Sequence, residues 1–180
     1  MTSDIKKIAL LTHGQPAVAR GSLIRTLRFL ADRGLEVKAP PGEWEKHGEV
    51  LRGATGVSLA SGPEDLSGVG LCLVLGGDGT MLRAFHLTRD LSIPVAGVNL
   101  GRVGFLTTVS KDELIQGLEQ LLAGAFKEYP LLGLEATLDG KVFRATNDVV
   151  VGKGANPHAC SVALTINGVT LFEVMCDGVV

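Results

Sequence analysis

The chain has 180 residues, 46% hydrophobic and 20% charged, enough for one domain or one domain plus part of another, and a composition that argues against disorder. Its net charge of -2 leaves no basic excess to neutralise a phosphate backbone, which argues against a nucleic-acid partner. No apolar stretch reaches the ~20 residues a spanning helix needs and no signal peptide is visible, so a cytoplasmic protein without a membrane partner is expected.

Ile5 to Leu11, interrupted by Lys6-Lys7, reads as a first buried strand, followed by a turn at Thr12 to Pro16. Leu23, Leu27, Leu30 and Ala31 recur at helical spacing between Ala17 and Arg33, and Gly34 is placed to close that helix in the left-handed conformation. Leu35 to Ala39 reads as a second strand, ended by Pro40-Pro41. Residues 42–68 are less regular, with a short helix around Trp44 to Leu51 and loops at Ser61-Gly62-Pro63 and Ser67-Gly68.

A continuous apolar run, Val69 to Leu75, reads as a strand buried on both faces. It stops at Gly76-Gly77-Asp78-Gly79-Thr80, and a helix is predicted from about Thr80 to Thr88. Ile93 to Val98 is another strand, followed by the glycine-spaced loop Asn99 to Thr107. Ser110-Lys111-Asp112-Glu113 has the form of a capping box ahead of an amphipathic helix that carries Leu114, Ile115, Leu118, Leu121 and Leu122 and ends near Gly124. The alternation of strand and helix predicts an α/β domain over residues 1–125, with an open, mostly parallel sheet.

After Phe126 the pattern changes. Leu132 to Leu138 and Val142 to Val150 flank Asp139-Gly140, and Cys160 to Ile166 and Val169 to Met175 flank Asn167-Gly168. Both dipeptides suit hairpin turns whose two central residues need positive φ. Residues 126–180 are therefore expected to form the start of an antiparallel all-β domain. Its last strand-like run ends at Val180 short of pairing partners, so the domain is expected to be incomplete. Cys72, Cys160 and Cys176 show no metal-like spacing and are expected to be buried, reduced thiols.

Four places could carry chemistry. Gly76 to Thr80 joins the carboxyl end of a parallel strand to a helix N-terminus, where free N–H groups and the helix dipole favour an anion. Asp78 would repel that anion unless it accepts a proton, binds a hydroxyl or holds a metal. Without a ligand the same residues are a tight strand-to-helix turn. Asn147-Asp148 offers an amide and a carboxylate, which suit an adenine edge and a ribose hydroxyl, or else form a solvent-facing pair on an edge strand. Asp177-Gly178 is locally a turn, and His158 lies in the loop Asn156-Pro157-His158; the four histidines make no metal pattern.

Together these places resemble the NAD kinase family. Gly76 to Thr80 is similar to its Gly-Gly-Asp-Gly-Thr turn, and Asn99 to Leu106 to its Asn-Leu-Gly-x-x-Gly-Phe-Leu loop. Asn147-Asp148 is similar to an Asn-Glu pair, and Cys176-Asp177-Gly178 to a Gly-Asp-Gly. The likeness runs from about Ile5 to the last residue. Three features depart from the pattern: Asp148 replaces the usual Glu, Cys176 replaces a glycine, and a Thr-Pro-Thr-Gly-Ser-Thr-Ala-Tyr stretch expected near Val180 is absent.

The resemblance implies transfer of the γ-phosphoryl group of ATP, or of polyphosphate, to the adenosine ribose 2′-hydroxyl of NAD, with Mg2+ accompanying the donor. It makes Asp78 the catalytic residue, contacting that hydroxyl and accepting its proton. Gly76, Gly77, Gly79 and Thr80 would bind phosphate. Asp78, Gly79, Arg83, Phe105, Asn147, Asp148, His158, Met175 and Asp177 would contact NAD, with Phe105 walling the adenine pocket. A homodimer or homotetramer built through the β domain is also implied. The alternatives are a lipid or sugar kinase sharing the Gly-Gly-Asp-Gly-Thr turn, or a non-catalytic nucleotide-binding fragment.

Overall fold

The computed structural model describes residues 5–101, 104–155 and 158–180. They fall into two compact units, one running through Tyr129 and the other Pro130–Val180.

In the first unit six strands form one parallel sheet: β1 (Lys7–Thr12), β2 (Glu36–Ala39), β3 (Val57–Leu59), β4 (Leu71–Leu75), β5 (Val95–Asn99) and β6 (Val109–Ser110). The spatial order is β3-β2-β1-β4-β5-β6. The chain winds outward from β1 in one direction, then crosses back to β4 and winds outward in the other. The point of reversal lies between the carboxyl ends of β1 and β4, the place where open α/β sheets bind ligands.

β4 is apolar and buried at every position, and β1 is apolar from Ile8 to Leu11, because helices cover both faces. Ile8, Leu10, Leu71, Leu73 and Leu75 pack with Leu23, Leu27 and Leu30 of α1 (Pro16–Ala31) and with Leu114, Leu118 and Leu121 of α4 (Leu114–Leu122). The alternate residues Ala9, Leu11, Cys72 and Val74 pack with Met81 and Ala84 of α3 (Asp78–Thr88). Burial pushes the Cys72 thiol up to about 12, so it stays protonated and inert.

Several boundaries differ from the sequence expectations. β2 ends at Ala39, ahead of Pro40-Pro41 as expected, but Pro41 already opens α2 (Pro41–Arg52), earlier than the helix expected around Trp44, because the first turn of a helix tolerates a residue without an N–H. Helix α3 starts at Asp78, two residues earlier than predicted, because the Gly77 carbonyl already accepts N–H groups from Thr80 (2.9 Å) and Met81 (3.1 Å). At the predicted capping box the Glu113 N–H reaches Ser110 Oγ at 3.4 Å and the Ser110 hydroxyl donates to Glu113, yet α4 begins only at Leu114. The short strands β3 and β6 and the single 3-10 turn Pro63–Leu66 lack the length or alternation that would announce them. Gly34 has φ 67° as expected, with the Leu35 N–H bonded back to the Leu30 carbonyl.

The second unit holds antiparallel pairs. Strands β7 (Leu134–Leu138) and β8 (Lys141–Ala145) turn at Asp139-Gly140, and β10 (Cys160–Ile166) and β11 (Val169–Cys176) turn at Asn167-Gly168. All four turn residues have positive φ, as that hairpin type requires. Strand β9 (Val151–Gly152) pairs with β12 (Gly178–Val179). The strand predicted from Val142 to Val150 ends at Ala145, so Asn147 and Asp148 occupy an irregular segment between β8 and β9. Cys160 and Cys176, distant in sequence, face each other in register, half-buried rather than fully enclosed.

Leu73 is fully buried in the middle strand of the sheet. Leu73→Ala is expected to lower the unfolding free energy of the first unit by about 2–5 kcal/mol, read from the urea midpoint; a loss below the resolution of that measurement would contradict the packing described.

Candidate functional site

The reversal point is closed by hydrogen bonds. The His13 N–H donates to the Leu75 carbonyl at 2.8 Å and the Gly76 N–H to the Val98 carbonyl at 2.9 Å, so the chain leaves β1, β4 and β5 at one level. Gly76 is needed for packing, since a side chain there would overlap the hydroxyl and Cβ of Thr80, which is itself buried. Gly77 and Gly79 differ. A methyl group on either would meet nothing within 4 Å. Their lack of a side chain serves no internal contact and leaves the first N–H groups of α3 open to a close approach from outside.

Asp78 stands in the first turn of α3, and its carboxylate is committed on both sides. Oδ2 accepts the Phe105 N–H at 2.9 Å and Oδ1 accepts the Leu106 N–H at 3.0 Å. The predicted turn and the predicted Asn99 to Leu106 loop are therefore one structure. Gly104 makes this possible, because a methyl group there would overlap all three carboxyl atoms of Asp78. Within the same loop the Gly101 N–H donates to Asn99 Oδ1 at 2.9 Å. Arg102 and Val103 lie outside the described residues. The Phe105 ring is 100% exposed, while its backbone N–H is bound to Asp78.

A second cluster, marked by no motif, lies under the same reversal point. Glu43, 1% exposed, accepts the Thr12 hydroxyl on Oε2 (2.5 Å) and takes Lys46 Nζ on Oε1 (2.7 Å). Lys46 also donates to the Thr12 hydroxyl and carbonyl, both at 3.0 Å. His47 Nε2 lies 2.9 Å from Thr12 Oγ1. The Thr12 hydroxyl donates its one proton to Glu43, so the neutral imidazole donates to Thr12. Burial, above all, holds the His47 imidazole below its ordinary pKa; Lys46 and Arg20 add to this and Glu43 opposes it. Arg83, one turn further along α3, reaches the Thr12 carbonyl (Nη1, 3.4 Å) and Glu43 (Nη2, 3.5 Å). Sequence reasoning missed Thr12, Glu43, Lys46 and His47; the one available signal was an isolated acid, base and imidazole on a short helix beside Trp44.

The remaining expected residues belong to the second unit. Asn147 and Asp148 are exposed. Met175 is on β11 and exposed, and His158 is an exposed residue of a loop whose Asn156 and Pro157 lie outside the described residues. Asp177 pairs with Lys153 at 2.7 Å, and the Lys153 N–H donates to the Asp177 carbonyl at 3.0 Å. Gly178 is required by packing, because a side chain would overlap the Val151 carbonyl across the β9–β12 pair. Among the described residues no three His, Cys, Asp or Glu side chains cluster as metal ligands, and no helix is long and apolar enough to cross a membrane.

Two outcomes follow for the site. Asp78→Asn keeps one carbonyl oxygen but turns an NH2 toward the other amide, and Gly104→Ala displaces the carboxylate. Amide exchange at Phe105 or Leu106 is expected to accelerate about tenfold or more, the scale of one hydrogen bond to a charged group, and unchanged protection would contradict the contact. For His47, a folded pKa below about 6.5 means that the unfolded chain binds the proton first. Stability from the neutral imidazole is present above that value and is lost as pH falls through the lowered folded pKa. The melting temperature is expected to drop from pH ~7 toward pH ~5, and His47→Gln is expected to flatten that part of the profile.

Residues 18–126 match the ATP-NAD kinase N-terminal domain family. The NAD kinase of Azoarcus sp. (strain BH72) is 34% identical over 187 residues, covering 100% of this chain and 62% of that protein. The chain thus spans about three fifths of the length of such curated relatives. Two solved structures share the fold. Yeast NADH kinase complexed with NADH aligns with a TM-score of 0.80 at 19% identity, covering 98% of this chain and 57% of the other. An NAD kinase from Archaeoglobus fulgidus in complex with ATP aligns with a TM-score of 0.64 at 23% identity, covering 96% and 58%. A glycine turn and a glycine-spaced loop joined through one aspartate at the reversal of a parallel sheet, together with the match over residues 18–126, identify the chain as a member of the ATP-NAD kinase family.

Proposed function

We propose that this chain carries the catalytic turn of an NAD kinase, which transfers the γ-phosphoryl group of ATP, or a phosphoryl group of polyphosphate, to the adenosine ribose 2′-hydroxyl of NAD and yields NADP. The observation that carries this reading is the Asp78 carboxylate, held by the Phe105 and Leu106 amides beside two glycines that face open space.

A carboxylate with one lone pair on each oxygen fixed by an amide has one direction left on each oxygen. It can accept a hydrogen bond from a hydroxyl and hold that oxygen in line with an incoming phosphorus. The 2′-oxygen then bonds to the γ-phosphorus, the bond from that phosphorus to the bridging oxygen breaks, and ADP leaves. The hydroxyl proton passes to Asp78 late in the transfer. A loose transition state makes positioning and charge neutralisation the main requirement, rather than a strong base. The open N–H groups of Gly77 and Gly79 and the half-exposed guanidinium of Arg83 supply positive charge for the phosphates. Mg2+ would be carried by the donor's phosphates and would neutralise part of their charge; among the described residues no three His, Cys, Asp or Glu side chains cluster to hold it.

The substrate's other contacts are assigned to the second unit, at Asn147, Asp148, His158, Met175 and Asp177. Exposure of all five supports that assignment. The same unit is proposed to build a homo-oligomer, which Leu164, Phe172 and Val174, exposed together on one face of the β10–β11 pair, support, and the protein is proposed to be cytoplasmic.

The test is ATP consumption with NAD, diacylglycerol or fructose 6-phosphate as acceptor. It is run on the 180-residue chain and on a version extended with the C-terminal part of the Azoarcus relative. NAD-dependent ADP release by the extended version, and little or none by the shorter, is expected. Use of diacylglycerol or fructose 6-phosphate in preference to NAD would overturn the assignment, and Asp78→Asn retaining near-normal turnover would overturn the role given to that residue.

A further inference from the structure

Glu43 is a carboxylate almost wholly withdrawn from water, a position that an acidic side chain holds only when paired. Its partners come from three elements: Thr12 at the end of β1, Lys46 on its own helix α2, and Arg83 on α3. The two cations are in different situations. Lys46 is 16% exposed and points its ammonium at Glu43 Oε1, at the Thr12 hydroxyl and carbonyl and, at 3.4 Å, at the His13 carbonyl. Its three protons are shared among these four acceptors, so it has no donor to spare. Arg83 is 49% exposed. Among the described residues one edge of its guanidinium is engaged, by the Thr12 carbonyl on Nη1 and Glu43 on Nη2, and the planar fork carries further donors that these two contacts do not use.

With His47 neutral, the cluster sums to one carboxylate and two cations. The surplus positive charge resides on Arg83, on the same helix whose first turn carries Asp78. We infer that Glu43 is a positioning residue: it pins one edge of Arg83 to the carboxyl end of β1 so that the other edge meets a phosphate oxygen of the bound nucleotide or polyphosphate. The phosphate-facing role of Arg83 rests on the function proposed above; the pinning by Glu43 rests on the geometry.

The experiment is titration of the 180-residue chain with inorganic triphosphate, followed by calorimetry and by amide shifts of Gly77 and Gly79. Arg83→Gln is expected to weaken binding about tenfold or more, the scale of a charge-assisted contact. Glu43→Gln separates the explanations. Removal of a negative charge near an anion should tighten binding if Glu43 acts only through its charge, and should leave affinity unchanged if its role is purely structural. Positioning requires weaker binding, together with no further loss when Glu43→Gln is added to Arg83→Gln. Glu43→Asp keeps the charge but retracts it by one methylene; it is expected to weaken binding as well, and it serves in place of Glu43→Gln if that variant does not fold. Unchanged or tighter binding in the Glu43 variant used, or losses that add to that of Arg83→Gln, would overturn the inference while leaving the proposed function standing. Absence of triphosphate binding by the unmodified chain would remove the phosphate role of Arg83, and the inference with it.

Discussion

The site depends on one carboxylate shared between two segments. Asp78 begins a helix, yet both of its oxygens are occupied by amides of a loop nearly thirty residues later, Phe105 and Leu106. A carboxylate at a helix N-terminus is stabilised by the dipole, and each backbone N–H that it accepts would otherwise need water. The contact therefore secures the loop and fixes the direction of the acid at once. Gly104 is the condition for it, because any side chain there would occupy the space of the carboxyl group.

The glycines around this contact do different things. Gly76 and Gly104 are forced by neighbours inside the fold, Thr80 and Asp78 respectively, and Gly178 is forced in the second unit by the Val151 carbonyl. Gly77 and Gly79 touch nothing. At the N-terminus of α3 that open space leaves the first N–H groups of the helix accessible to a ligand that approaches the backbone. The same sorting separates structure from chemistry among the charges. Lys46 is consumed by the fold, whereas Arg83 is anchored along one edge and presents the other.

Much of this was legible in the sequence. The apolar runs of β1, β4 and β5 announce strands covered on both faces, and Asp139-Gly140 and Asn167-Gly168 announce hairpins whose four turn residues do have positive φ. The turn at Gly76 to Thr80 and the loop at Asn99 to Leu106 were visible as separate motifs. That Asp78 joins them was not, because nothing in local spacing says which backbone amide a carboxylate will find. The cluster of Thr12, Glu43, Lys46 and His47 was invisible for a related reason: Pro40-Pro41 reads as an end, and only the packed sheet brings the start of α2 against the end of β1. Strand periodicity misled at Asn147-Asp148, where apolar residues on both sides suggested one continuous strand but pairing with β7 stops at Ala145. Cys160 and Cys176 likewise became neighbours only through the register of β10 and β11.

The proposed function needs the Asp78 turn and the Phe105 loop to act as a single nucleotide site. The most direct measurement is an NAD titration of the isotopically labelled chain, followed through its backbone amide resonances. A single site requires the amides of Gly77, Asp78, Gly79, Phe105 and Leu106 to shift together along one saturating curve, and Asp78→Asn to disturb all five. Shifts at the turn without the loop, or saturation that leaves both unmoved, would contradict it.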